Sequence, residues 1–235
     1  MIIREYQLNE VIKKGSYPPF LLIYGPNEGL IRDDILKICS SFKEDLQIDE
    51  ITINGKALDE NYSLIDEEIR SFSMFSEKKI IHLENLKEKH LQYFENQEIE
   101  NNKILVIIKS ENLSKGSKIR NFFEKHKRYA AVPCYEDDMR STMNLLSLFQ
   151  SENKIKFNSD IKNYLLQNLS SDRLISKNEL EKILLVIGNE KNREIELGDI
   201  QNILNDGSSN SLNIINENVM YGKIDQVSKN LYRIF

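Results

Sequence analysis

Between residues 20 and 135, short β-branched runs alternate with stretches of helical spacing. That is the pattern of a parallel sheet whose connections are helices lying on both faces. Five strands are predicted, at residues 20–24, 50–53, 79–83, 104–109 and 130–134. The runs Phe20-Leu21-Leu22-Ile23-Tyr24 and Ile104-Leu105-Val106-Ile107-Ile108 contain no charged residue, so both faces of those strands have to be covered. After the first strand, Ile31, Ile35, Ile38 and Phe42 fall at i, i+4, i+7 and i+11, which lays one apolar stripe of a helix on the sheet. Tyr62, Ile65, Ile69 and Phe72 repeat the device ahead of the third strand.

Beyond Asp138 the strand signal stops. Phe157, Ile161, Tyr164, Leu165 and Leu169, then Leu180, Ile183, Leu184 and Ile187, follow helical spacing, and a small helical domain is predicted. Ser176 and Glu179 stand just before Leu180 in the order of a capping box, which predicts a helix start there. The stretch Asp206-Gly207-Ser208-Ser209-Asn210-Ser211 is rich in turn formers. Residues 212–235 read as one helix and the start of another, too short to bury a core alone. The chain therefore divides into an α/β domain at 1–138, a helical domain at 139–205, and a linker with an incomplete further domain at 206–235.

Composition narrows the function classes. With 235 residues, 40% of them hydrophobic, the chain can build a sizeable core without disulfides. Its formal charge of −5 argues against autonomous non-specific DNA binding, which needs a positive field along the phosphates. Cys39 and Cys134 lie far apart in apolar surroundings and read as buried thiols of a reducing compartment. No apolar run reaches membrane-spanning length, and Arg4, Glu5 and Gln7 interrupt any signal-peptide core, so a cytoplasmic protein is expected.

The first strand runs into Gly25-Pro26-Asn27-Glu28-Gly29-Leu30-Ile31-Arg32, where a sheet of this kind would carry a P-loop. A Walker A loop ends in a lysine for the terminal phosphates and a hydroxyl for magnesium. Here Gly25 and Gly29 are one residue too close, Leu30 and Ile31 replace lysine and hydroxyl, and Glu28 puts a negative charge where phosphate would sit. Tight-turn glycines without a bound nucleotide are the favoured reading, and no cofactor is expected. Glu84, at the end of the third strand, is a lone acid where a magnesium site needs a pair. His82, His90 and His126 lack metal-ligand spacing, and no nucleophile elbow accompanies them, so neither a metal nor a catalytic residue is assigned. Residues 115–128 are the most basic stretch, with Lys115, Lys118 and Arg120 as the candidate DNA-facing side chains. The same charges also suit the solvated side of a helix whose Ile119, Phe122 and Phe123 turn inward. Met74 and Phe75, between Ser73 and Ser76, are adjacent large apolar residues in a connector. They either tuck under the loop or protrude as an anchor for a partner.

Five segments in register give the chain a family likeness: Phe20 through Gly25, the Phe72-Ser73-Met74-Phe75-Ser76 connector followed by Lys79 through Leu86, Leu113 through Glu124, Ala131 through Tyr135, and Asn178 through Ile183. Together they resemble the delta subunit of the bacterial DNA polymerase III clamp loader. The resemblance implies an AAA+-like parallel sheet with flanking helices, followed by a small three-helix lid domain and the start of a helical collar. It further implies a subunit that hydrolyses no ATP itself within a DNA-directed DNA polymerase (nucleotidyltransferase) holoenzyme. Such a subunit binds the ring-shaped sliding clamp, beta, and holds it open for loading onto primed DNA. Its other partners are tau/gamma and delta-prime in a pentamer; no membrane is involved. The family's apolar plug, a Ser-Leu-Phe connector, falls here on Ser73, Met74 and Phe75, and the exchange of leucine for methionine keeps volume and apolarity. The collar is incomplete, which bears on pentamer assembly. Two rival readings stay open at this point: a P-loop ATPase with a divergent site at Gly25 to Arg32, and a stand-alone DNA-binding protein using residues 115–128.

Overall fold

Apolar residues on both sides of the strands are satisfied by a five-stranded, all-parallel sheet in the order β2-β3-β4-β1-β5. The structure is a computed structural model that describes residues 1–43, 47–61, 63–71, 76–95, 103–187, 195–205, 219–222, 224 and 227. In chain order the first unit contains α1 (Glu5–Lys14), β1 (Phe20–Tyr24), α2 (Glu28–Lys43), β2 (Ile48–Asn54), α3 (Gly55–Glu60), α4 (Leu64–Arg70) and β3 (Lys78–Glu84). A 3-10 turn (Glu88–His90), α5 (Leu91–Glu95), β4 (Ile104–Ser110), α6 (Lys118–Lys125) and β5 (Ala130–Pro133) complete it. The strand predictions are met to within two residues at each end.

Period-two alternation divides the core into two layers. Phe20, Leu22 and Tyr24 of β1 join Ile81, Leu83, Val106 and Ile108 on one face, under Leu58, Ile65, Phe94 and Phe123. Leu21 and Ile23 join Ile80, Leu105, Ile107 and Val132 on the other, under Leu30, Ile31, Ile38 and Phe42 of α2. All five residues of β1 are fully buried, as a central parallel strand requires. α1, with Leu8 as its one buried position, is a helix that the sequence pattern does not announce.

Contact clustering separates Met1–Glu136 with Asp172–Leu174 from Asp137–Ser171 with Ile175–Phe235. The second unit is helical: α7 (Met139–Asn153), α8 (Ser159–Asn168), α9 (Arg173–Ile187, its first two residues grouped with the first unit) and α10 (Leu197–Asn205). Four helices are thus described here, and Leu145, Leu146, Phe157, Ile161, Leu165, Leu180, Ile183, Ile200 and Leu204 form their shared core. Asp138 caps α7 by accepting the amide of Ser141 at 2.8 Å, while Ser141 Oγ accepts the amide of Asp138 at 2.8 Å.

The capping box expected at Ser176 and Glu179 is overturned. α9 already begins at Arg173, where the Asp172 carboxylate accepts the Leu174 amide at 2.8 Å. Ser176 is an interior residue whose hydroxyl donates backwards to Ser170 O at 2.7 Å, and Glu179 pairs with Lys182 at 2.9 Å. An aspartate four residues upstream wins because it meets the first free amides of the helix. Most of residues 206–235, including the expected collar segment, lie outside the described residues.

Candidate functional site

β1 ends at Tyr24 and the chain turns at once through Gly25, whose φ of +153° and position exclude a side chain: a Cβ there would stand 1.9 Å from Cys134 O. The turn leads to Asn27, fully buried. Its side-chain oxygen accepts the amides of Leu30 and Arg173, both at 3.0 Å, and its amide nitrogen donates to Tyr135 O at 3.2 Å. The backbone amide of Asn27 is bound to Cys134 O at 3.3 Å and that of Ile31 to Asn27 O at 3.0 Å. A Cβ on Gly29 would lie 2.0 Å from the amide nitrogen of Leu174, so the second glycine is required by close backbone approach. Arg173 sends its guanidinium to Glu5 at 3.0 Å.

A phosphate cradle works by leaving amides at a helix N-terminus pointing into an open concavity. Here the Asn27 carboxamide, the 173–174 backbone and the carbonyls after β5 take up those positions and donors. Nearby, Asp34 is buried in α2, with Lys37 Nζ 3.6 Å from Oδ1 and the Cys134 thiol 3.8 Å from Oδ2. Burial pushes its carboxyl up to about 6, and Lys37 only partly offsets this. Glu84 sits half-buried at the end of β3.

The predicted clamp plug, Ser73, Met74 and Phe75, lies outside the described residues, as does Phe72. Its N-terminal flank is held by a residue that sequence reasoning missed. Lys79, at the start of β3, is 1% exposed. Its Nζ donates to Glu68 O at 2.9 Å, Ser71 O at 2.8 Å, Ser71 Oγ at 3.1 Å and the Glu68 carboxylate at 2.7 Å. A cation on the last carbonyls of α4 satisfies groups the helix leaves unpaired and suits its dipole. Nothing in the Lys78-Lys79 pair marks the second lysine as the buried one except strand alternation.

Two of the three basic candidates, Lys118 and Arg120, have partners within the protein. Arg120 donates to Glu124 at 2.8 Å, to Leu113 O at 3.2 Å and to the Tyr135 hydroxyl at 3.2 Å, and its guanidinium lies 5.2 Å from the centre of the Tyr24 ring. Tyr24 donates its hydroxyl to the same Glu124 carboxylate at 2.6 Å, and burial first, then that carboxylate, pushes its pKa up. Lys118 pairs with Glu88 at 3.2 Å, and Lys115 is exposed. The structure therefore gathers Arg120 with Tyr24, Glu124 and Tyr135 at the C-terminal end of β1.

Comparison with known proteins bears on this arrangement. Residues 21–134 match the family described as DNA polymerase III, delta subunit. A curated relative, the probable DNA polymerase III subunit delta of Rickettsia prowazekii, is 25% identical over 182 residues, covering 76% of this chain and 53% of the relative. The chain thus spans about half the length of that relative. Among solved structures, the Bacillus subtilis DNA clamp loader delta protein superposes with a TM-score of 0.59 at 16% identity, over 97% of this chain and 70% of that one. Domain III of the Thermotoga maritima replication initiation protein DnaA follows with 0.52 at 17%, over 86% and 89%. These two likenesses establish the AAA+-like fold. No described helix is long and apolar enough to cross a membrane. Family model, curated relative and fold point the same way: the α/β unit of this chain is similar to that of the delta subunit of DNA polymerase III.

Proposed function

We propose that this chain works as the delta subunit of a bacterial clamp loader: it binds the sliding clamp and favours its open ring during loading onto primed DNA, and hydrolyses no ATP. The observation that carries the reading is the delta-family match over an α/β unit whose P-loop position is closed by its own residues. A delta subunit contributes binding energy and leaves ATP turnover to neighbouring subunits. Residues 1–138 are the AAA+-like domain, 139–205 the lid, and 206–235 the beginning of a collar that joins tau/gamma and delta-prime. Ser73, Met74 and Phe75 are the clamp-binding plug. Burying two such apolar side chains contributes about 3 to 6 kcal/mol, enough to shift a ring-opening equilibrium by roughly two to four decades if spent on the open ring alone. Equal affinity for open and closed rings would shift nothing.

Incubation of the purified chain with purified sliding clamp, without nucleotide, tests the proposal. Co-elution of the two proteins is expected, together with no retention of labelled ATP and magnesium at micromolar concentration. Retained ATP would favour a divergent ATPase. Steeply salt-dependent DNA affinity of the chain alone would favour a DNA-binding protein.

A further inference from the structure

On the α2 side of the sheet, at the β2 edge, three residues of different chemistry converge. Cys39 comes from the last turns of α2, Glu50 from β2 and His82 from β3. Thr52 is the register partner of His82, so Glu50, two residues earlier on β2, shares a face with the imidazole. That face is the one on which Ile80 and Ile48 pack with Cys39. The thiol sulfur, a carboxylate oxygen and an imidazole nitrogen all lie within 4.8 Å of one another. His82 Nε2 is 2.8 Å from Glu50 Oε1, and Lys43 Nζ is 2.7 Å from Glu50 Oε2. The other two histidines are engaged elsewhere: His90 with Asp59 at 2.7 Å, and His126 stacked on Tyr129 at 3.7 Å.

We propose that Cys39, Glu50 and His82 form a binding site for a single zinc ion, with solvent as the fourth ligand. A thiolate, an imidazole and a carboxylate are the donor set zinc prefers over harder cations. Tetrahedral zinc with ordinary bond lengths sets its donors roughly 3.4 to 3.6 Å apart. With the donors now within 4.8 Å of one another and His82 2.8 Å from Glu50, the site reaches this by a closure of at most roughly 1.4 Å at the sulfur and a small opening between His82 and Glu50. Lys43, a half-exposed side chain, swings to solvent, since an exposed ion pair holds it only weakly. Binding forms the zinc–sulfur bond and releases the Cys39 thiol proton to solvent, with no change of oxidation state. The ion ties the end of α2 to two strands at the sheet edge. Spacing along the chain conceals the site because its donors come from three elements, with Glu50 and His82 separated by 32 positions.

The full chain, freed of metal by dialysis against a chelator, is titrated with zinc in competition with a chromophoric chelator of micromolar affinity, and in parallel with cobalt(II). Stoichiometric zinc uptake and a thiolate-to-cobalt charge-transfer band are expected. Cys39→Ser should abolish the band. His82→Gln, at a partly exposed strand position, should leave the circular dichroism unchanged and weaken zinc binding by at least about tenfold. If the buried Cys39→Ser fails to fold, His82→Gln decides alone. Failure of the chain to draw zinc from the chelator, or uptake unchanged by His82→Gln, would overturn the proposal.

Discussion

Asn27 does with one side chain what a bound phosphate does in an active P-loop: it collects amides at the start of α2. Removing it takes away the acceptor that the Leu30 and Arg173 amides share. Asn27→Ala is therefore expected to cost about 2 to 4 kcal/mol, read as a lowered urea midpoint; a change below about 0.5 kcal/mol would show that the loop is held by other contacts. Asp34, close by, gives a pH signature. Its carboxyl titrates near 6 in the folded chain against 3.8 in the unfolded one, so the folded state holds the proton more tightly. Stability contributed by the protonated form is then present below about pH 4 and is lost as pH rises to about 6, by about 3 kcal/mol, with no further loss above. The groups facing it are Lys37, Glu5, Arg173 and the Cys134 thiol. In Asp34→Asn that slope should vanish from denaturation curves measured across the window; an unchanged slope would assign it to another group.

At the scale of elements, α6 shows how one helix divides its charges between structure and surface. Arg120, on the flank of the helix facing Tyr24, closes a network with Glu124 and Tyr135. Arg120→Ala is expected to lower stability by about 1 to 3 kcal/mol, whereas Lys115→Ala should stay within about 0.5 kcal/mol in the same denaturation assay. Equal effects would remove the distinction between a structural arginine and a solvated lysine. The sequence pattern foretells the strands because residues such as Leu21 and Leu22, buried on opposite faces, leave no polar position to confuse the period. It also finds α2, whose apolar stripe is unbroken. It misses α1, which rests on the single buried Leu8. It misplaces the start of α9 because Ser176 and Glu179 mimic a cap that Asp172 supplies. The loss of the P-loop was legible in Gly25 to Ile31. The mechanism of its closure was not, because the Arg173 amide on Asn27 comes from 146 positions away. Lys79 is illegible for a similar reason, since two of its acceptors are backbone carbonyls whose place only the fold decides.

For the whole molecule, the proposed function requires an AAA+-like scaffold that presents an apolar connector to a ring-shaped partner. The connector follows Ser71, whose carbonyl and hydroxyl both accept from Lys79 Nζ at the start of β3. The double variant Met74→Ala, Phe75→Ala removes two large apolar side chains and keeps the Lys79–Ser71 hydrogen bonds. The decisive measurement is the equilibrium affinity of purified sliding clamp for the unaltered chain and for this variant. The account expects the variant to bind at least about a hundredfold more weakly, a loss near 3 kcal/mol, with its thermal melting unchanged. Clamp binding of equal strength by both chains would contradict it.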